Sequence, residues 1–268
     1  MPVAEENTPA LPDYVLDPDA VLKDDICWRY GRAPDYSKTR KEYEEGMYLS
    51  YLSNTYRGSI GKKMNHEAGS LPNLVENLVK NWEIEASFKP NFVDWRTVDQ
   101  ECYTFSVNGG PAQSPNHMLS VGTYNAIIPS NAYYDPKHSD FAKSHKTFKR
   151  MMPTFAWEVL EVYSGPPVVV FKWRHWGKMV NDYSAVNDKG ENVTVKAHNS
   201  AIDIEGLVVA RVNDSLQIQS IEVWQDPMTM FRHIDPKGEA QIKPQTKTEL
   251  SNDEPSSKVH VPQCPIAH

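Results

Sequence analysis

The sequence predicts an α+β fold, a curved antiparallel sheet with helices packed on its concave side. Three observations carry that reading. Helical spacing marks the first half of the chain, strand-like runs dominate the second, and neither parallel βαβ alternation nor a glycine-rich phosphate loop appears. The helices begin with Tyr36 to Leu52 and Ser70 to Glu85. In the second of these, Leu71, Leu74, Leu78 and Trp82 recur at helical spacing, and Ser70 is placed to cap ahead of Pro72. Leu119 to Ile128 and Phe141 to Met152 read as two further helices. From Phe155 the pattern changes. The stretch FAWEVLEVYSGPPVVVFKWRHWG, Phe155 to Gly177, is rich in aromatic and β-branched residues on both sides of Ser164-Gly165-Pro166-Pro167, a hairpin signature. Asn192 to Lys196, Ala201 to Val212 and Leu216 to Trp224 follow as strands, the last two joined by a turn at Asn213-Asp214-Ser215. Helices laid on one face of such a sheet enclose a cone-shaped cavity, a natural small-molecule site.

The chain of 268 residues is long enough to bury a sizeable core. Its apolar share of 40% is below the globular average, which suggests polar tails around a compact centre. We read residues 1–25 as an N-terminal tail, 26–234 as one domain and 235–268 as a polar, mobile C-terminal tail. A net charge of -7, with no basic stretch beyond the solvated run Lys143 to Arg150, gives nucleic-acid binding no electrostatic support. Nor is there an apolar run of membrane-spanning length or a signal-peptide core, so the expected location is cytoplasmic. Cys27, Cys102 and Cys264 are odd in number and far apart, which argues against a disulfide framework. His138 and His145, seven apart, and the isolated His66-Glu67 lack metal-ligand spacing, so neither metal nor cofactor is expected.

Several segments resemble the plant and fungal pathogen-related protein family: ICWRYGRAPDY, LVENLVKNWEIEASFKP, SVNGG, GTYNAII, YYDP and, most specifically, FAWEVLEVYSGPP. That family is similar to the SnoaL-like polyketide cyclases, whose fold is the nuclear-transport-factor-2-like cone. The resemblance implies the same cone here, with a homodimer by analogy. It also sets IEVWQDPMTMFRHI against a stretch of the relatives that ends in an acidic residue, here Asp226. The chain departs from the relatives in a longer polar insert between Gly177 and Ala201, and in Ser215-Leu216-Gln217-Ile218 where they have Gly-Lys-Ile. The cone supports cyclases, dehydratases, isomerases, epoxide hydrolases and plain binders, so chemistry must come from the site.

His175 is the first candidate. On a strand it shares a face with Phe171 and Trp173, as an acid/base or as a hydrogen-bonded core histidine. Asp226 sits where a strand leaves the sheet, either as a base with a raised pKa at the cavity mouth or as a cap for Met228 to Ile234. Glu222 shares its face with Trp224 and Asp226 if the strand is regular. Arg174 faces away from His175 and is placed to pair with Glu158 or Glu161, or to meet substrate. Trp157, Trp173 and Trp224 supply aromatic walls. Tyr124, with Asn125 beside it, is placed to donate to a developing oxyanion or to pack. These parts imply a cofactor-independent enzyme of secondary metabolism. It would act on a hydrophobic polyketide or terpenoid by dehydration, isomerisation or cyclisation, including cycloaddition by placement. The alternative is a non-catalytic, stress- or defence-related binding protein. Convergent His and carboxylate groups in the cavity favour the enzyme.

Overall fold

The computed structural model describes residues 10–37 and 61–245. The predicted hairpin forms as β2 (Phe155–Ser164) and β3 (Val168–Lys178), with the chain reversing through Gly165, Pro166 and Pro167. Two bulges in β2, after Val159 and after Val162, add twist and bend the ribbon. The hairpin joins β6 (Ala201–Val212), β7 (Ile218–Trp224) and β1 (Thr104–Val107) in a five-stranded sheet of order β1-β7-β6-β3-β2. All neighbours are antiparallel except β1 and β7, a parallel pair at one edge that alternation over so short a strand did not reveal. Within the polar insert, the strand expected over Asn192 to Lys196 forms as β5 (Glu191–Val195), and it pairs with an additional strand, β4 (Tyr183–Val186), in a second, three-stranded sheet.

Helices cover the concave side of the larger sheet. The short N-terminal helix α1 (Asp13–Leu16) precedes the long α2 (Leu71–Phe88). Val75, Leu78, Val79 and Trp82 of α2 look onto the sheet, and Trp82 stacks on Phe105 of β1 while donating to the Tyr103 hydroxyl. Ser70 makes no side-chain cap, so the helix start rests on Pro72 and on backbone bonds. The single helix expected over 119–128 is two: α3 (Pro115–Val121) and α4 (Thr123–Ile127). Gly122, at φ +92°, breaks the run in a conformation L side chains rarely adopt. A Cβ there would fall 2.6 Å from Ser144 Oγ on α5 (Phe141–Met151), so the break also lets two helices close up. The last helix is α6 (Met228–Ile234). The predicted helix at Tyr36 to Leu52 lies almost wholly outside the described residues.

Both tail boundaries shift. Tyr14, Val15, Ala20 and Val21 are buried, because Asn77 and Asn81, one turn apart on α2, clip the N-terminal segment in place. Asn81 Oδ1 accepts from the Val21 N–H at 3.0 Å, its Nδ2 donates to the Tyr14 and Asp17 carbonyls, and Asn77 donates to that of Val15. At the other end, Asp235 accepts from the Tyr133 hydroxyl and the Glu239 N–H. The chain then adds an exposed strand, β8 (Gln241–Pro244), to β5. A polar strand needs no core of its own when an open sheet edge supplies its hydrogen bonds. Cys27 is disulfide-bonded, although the odd number and wide spacing of the cysteines argued against a disulfide framework, whereas Cys102 is a free, exposed thiol. No helix among the described residues is long and apolar enough to cross a membrane.

Candidate functional site

Between the concave face and the helices lies a cavity of about 180 Å³. It is somewhat larger than the roughly 150 Å³ void that holds a benzene molecule, so it suits a molecule of one or two rings. Its wall follows the strand alternation: Val169, Phe171, Trp173 and His175 of β3, and Ile204, Val208, Ala210 and Val212 of β6. A bulge opposite Arg211 and Val212 lets Ile218 share the inward face with Ile221 and Val223. Against this apolar background stand a few polar groups, from Glu83, Thr123, Tyr124, Trp173, His175, Gln225 and Asp226. Among the described residues there is no cluster of His, Cys, Asp and Glu that could hold a metal ion.

His175 is held in one orientation. Its Nδ1 lies 2.6 Å from the Ala156 carbonyl, an oxygen that can only accept, so Nδ1 carries the proton. Its ring stacks on Phe155 at 3.3 Å between centroids. Burial depresses its pKa to about 3, opposed by that carbonyl and assisted by Lys149. The imidazole is therefore neutral at pH 7, and its Nε2 lone pair has no partner among the described residues. Tyr124 lies on the opposite wall, where burial and the nearby Glu83 carboxyl push its pKa well up and keep it a hydroxyl donor. Trp157 and Trp173 line the wall as well.

Glu83 went unnoticed in the sequence. It lines the cavity from α2 and has neither a hydrogen bond nor an ion pair among the described residues. The other two glutamates of that helix turn elsewhere. Glu76 binds Lys62 and Lys80, and Glu85 binds Lys89 and the Arg96 and Thr97 N–H groups. A signal was present: position 83 continues the 75-79-82 stripe by helical spacing yet carries a charge.

Five residues assigned from the sequence are placed differently by the structure. Arg174 points to the convex side, 3% exposed, bonded to Glu158, Asp203 and the Gly61 carbonyl; a guanidinium on that face meets no cavity ligand. Glu222 and Trp224 also fall on the outer face, because β7 is regular from Ser220 to its end, and Trp224 is 44% exposed. Asn125 is a buried structural pin, donating to the Val121 carbonyl at 2.7 Å and accepting from the Tyr134 hydroxyl. Asp226 does reach the mouth of the cavity, since the strand has ended before it. Its side chain is 53% exposed, paired with Arg232, and accepts the Met228 N–H at the start of α6. Arg232 and that N–H lower its pKa rather than raise it. Asp226 therefore accepts the first N–H of α6 and pairs with Arg232, and it is not a desolvated base.

The two depressed histidines set an acid limit on stability. Burial also lowers His145 to about 4. Between these folded values and the unfolded value of about 6.5, the unfolded chain binds more protons, so acid favours unfolding. The contribution is intact above about pH 6.5 and is lost as pH falls toward 4 for His145 and toward 3 for His175. At pH 5 that amounts to roughly 2 kcal/mol for each. The depressed carboxyls, Glu76 and Glu205 among them, act only below their ordinary range. The thermal midpoint is thus expected to fall from pH 7 to pH 5, and to fall less in His175→Gln. An unchanged slope in that variant would show that His175 already ionises in the fold.

No family model matches the chain. A pathogen-related protein from barley, Hordeum vulgare, is 29% identical over 203 residues, covering 73% of this chain and 76% of that protein. The resemblance carried by FAWEVLEVYSGPP thus extends over most of the chain. Solved structures with a similar outline include a presumed polyketide cyclase from Acidithiobacillus ferrooxidans. It shows 11% identity and a TM-score of 0.37 over 64% of this chain and 99% of that one. Another is a presumed SnoaL-like polyketide cyclase from Jannaschia, with 12% identity and a TM-score of 0.32 over 64% of this chain and 96% of that one. Likenesses that remote carry no chemistry, and the fold assignment rests on the topology above.

Proposed function

We propose that this protein is a cofactor-independent enzyme of lyase or isomerase type. It takes a hydrophobic molecule of polyketide or terpenoid character into the cavity and moves a proton on it. The observation that carries this is a carboxyl group with no cation paired to it among the described residues, Glu83, facing the same apolar cavity as a neutral imidazole and a phenol. Glu83 takes a proton from carbon next to a carbonyl, and the C–H electron pair moves onto oxygen as an enolate. Tyr124 donates to that oxygen. The proton then returns to a different carbon, which is isomerisation, or to a departing hydroxyl, which is dehydration to an enone. His175, with only Nε2 free, accepts a hydrogen bond from a substrate hydroxyl and orients it. An enone held against the aromatic wall is placed for ring closure, where orientation contributes up to about 7–11 kcal/mol in ideal cases.

The almost wholly apolar wall favours a second reading, storage or transport of an apolar molecule without chemistry. One experiment separates the two without knowledge of the substrate. The full chain is incubated in D2O with 1-tetralone, and loss of the proton signal beside the carbonyl is followed by NMR. The enzyme reading expects exchange well above the buffer rate. Saturable binding with exchange at the buffer rate leaves only the carrier.

A further inference from the structure

The cavity is long. Its lining on β3 runs from Val169 to His175, and on β6 from Ile204 to Val212. At about 3.3 Å per residue, the β3 run alone spans roughly 20 Å. A volume of about 180 Å³ drawn out over that length makes a narrow channel, not a chamber. The strand register divides the channel into rungs. His175 lies across from Ile204, Trp173 from Gly206, Phe171 from Val208, and Val169 from Ala210. From Trp173 onward β3 supplies ever smaller side chains. The indole fills the space that Gly206 leaves, since a Cβ there would lie 2.4 Å from Trp173 Cζ2. The last rung sets a valine against an alanine, and small side chains on adjacent strands leave more depth there.

Polarity is sorted along this length. The ionisable, amide and hydroxyl side chains of the lining gather at the His175 end. The Tyr124 ring stacks with Phe155, and Phe155 with His175. Thr123 precedes Tyr124 in the chain, and Glu83 is near enough to raise that phenol's pKa. Gln225 and Asp226 follow Trp224, whose partner on β6 is Leu207, and so continue toward the Ile204 rung. The mouth is at this end, bordered by the half-exposed Asp226. The other end is apolar and backed by protein. Val212 and Ile218 line it beside the turn between β6 and β7, where the Tyr14 hydroxyl donates to the Ser215 carbonyl at 2.7 Å. Leu78 lines the cavity and also packs against Tyr14, Val15 and Ala20 of the N-terminal segment.

We infer that the ligand is a slender amphipathic molecule, an unbranched hydrocarbon chain with a carbonyl head, bound tail-first, and that Val169 and Ala210 set the chain length it accepts. The inference rests on the cavity being the ligand site of the proposed function and goes beyond it by fixing the ligand's shape and direction. Volume alone admits one or two rings, whereas the outline of the channel favours an open chain over a fused pair. Tail-first insertion takes the chain out of water rung by rung, and each buried methylene adds to affinity until the chain meets the end. The carbonyl then stays at the mouth, among the polar side chains. The reverse direction would bury it among valines and isoleucines without a hydrogen bond, which costs its hydration.

The test measures dissociation constants for a series of unbranched methyl ketones of rising chain length, on the full chain, by calorimetry. Affinity is expected to rise about 4-fold for each added methylene and then to level off. Ala210→Leu should bring that plateau to a shorter ketone. Direction is read in wild-type protein with 13C-labelled alanine and valine methyls. The chain-end methyl of a ketone at the plateau should show nuclear Overhauser contacts to Ala210 and Val169, and the methyl beside its carbonyl should show none. Contacts from the methyl beside the carbonyl instead would overturn the inference while leaving the cavity as the site. So would a steady rise with no plateau, or an affinity independent of chain length while 1-tetralone binds. Failure of the ketones and 1-tetralone alike to bind would remove the cavity reading and this inference with it. The wild-type arms decide the matter even if the variant folds poorly.

Discussion

Glu83→Gln is expected to slow proton transfer by about 10²–10⁴-fold, the usual worth of a positioned general base. The substitution keeps the shape of the side chain and removes only its ability to take a proton. Because Glu83 has no hydrogen bond or ion pair among the described residues, its loss should leave the thermal midpoint close to that of the wild type. Deuterium exchange on 1-tetralone and turnover of any substrate later identified should fall together, with ligand affinity changed little. That split distinguishes a proton acceptor from a wall residue, whose removal would weaken binding first. His175→Gln serves as the comparison. With a pKa of about 3, His175 is a poor base, so its replacement should cost less exchange than that of Glu83. If Glu83→Gln retains full rate in folded protein, the acid/base assignment fails and the carrier reading takes its place.

The second large effect is on stability. Arg174→Met is expected to destabilise the fold by about 3–5 kcal/mol, the cost of leaving a buried charge without its partner. Glu158 is fully buried. It accepts from Arg174 at 2.9 Å and from the Lys63 and Met64 N–H groups, so it ties the chain at 61–64 to the convex face. Without the guanidinium, two backbone donors remain for a carboxylate that water does not reach. Asp203 loses the same partner but is 31% exposed and recovers solvation. Urea denaturation should show the loss as a lowered midpoint with an unchanged slope. The thermal midpoint should drop by roughly 6–20 °C, taking 2–4 °C per kcal/mol for a chain of this size. Adding Glu158→Gln to Arg174→Met should restore part of it, since the stranded charge is then gone. A single-variant loss below about 1 kcal/mol would mean that this face hydrates freely.

Much of the candidate site was legible because a strand assigns faces by parity. Once Phe155 to Gly177 is a hairpin, Trp173 and His175 share one side and Arg174 takes the other, whatever the rest of the chain does. The same parity put Glu222 and Trp224 together, but it did not say which side was concave. That depended on which face the helices covered, and they covered the one bearing Ile221 and Val223. Asp226 was harder still. Its reach to the cavity mouth follows from where β7 stops, and its exposure and Arg232 partner follow from the turn into α6. Helical spacing found α2 but treated its three glutamates alike. Only the tertiary structure set Glu76 against lysines, Glu85 against Lys89 and a backbone turn, and Glu83 against the cavity. The N-terminal residues looked like a tail because their apolar content is low. Their order comes from Asn77 and Asn81, which satisfy the segment's backbone groups at long range. By itself the sequence determined the class of fold, the hairpin and the two aromatic walls that flank the cavity. Which charges were paired and which were stranded were decided by packing, because burial and partner choice depend on residues far apart in the chain.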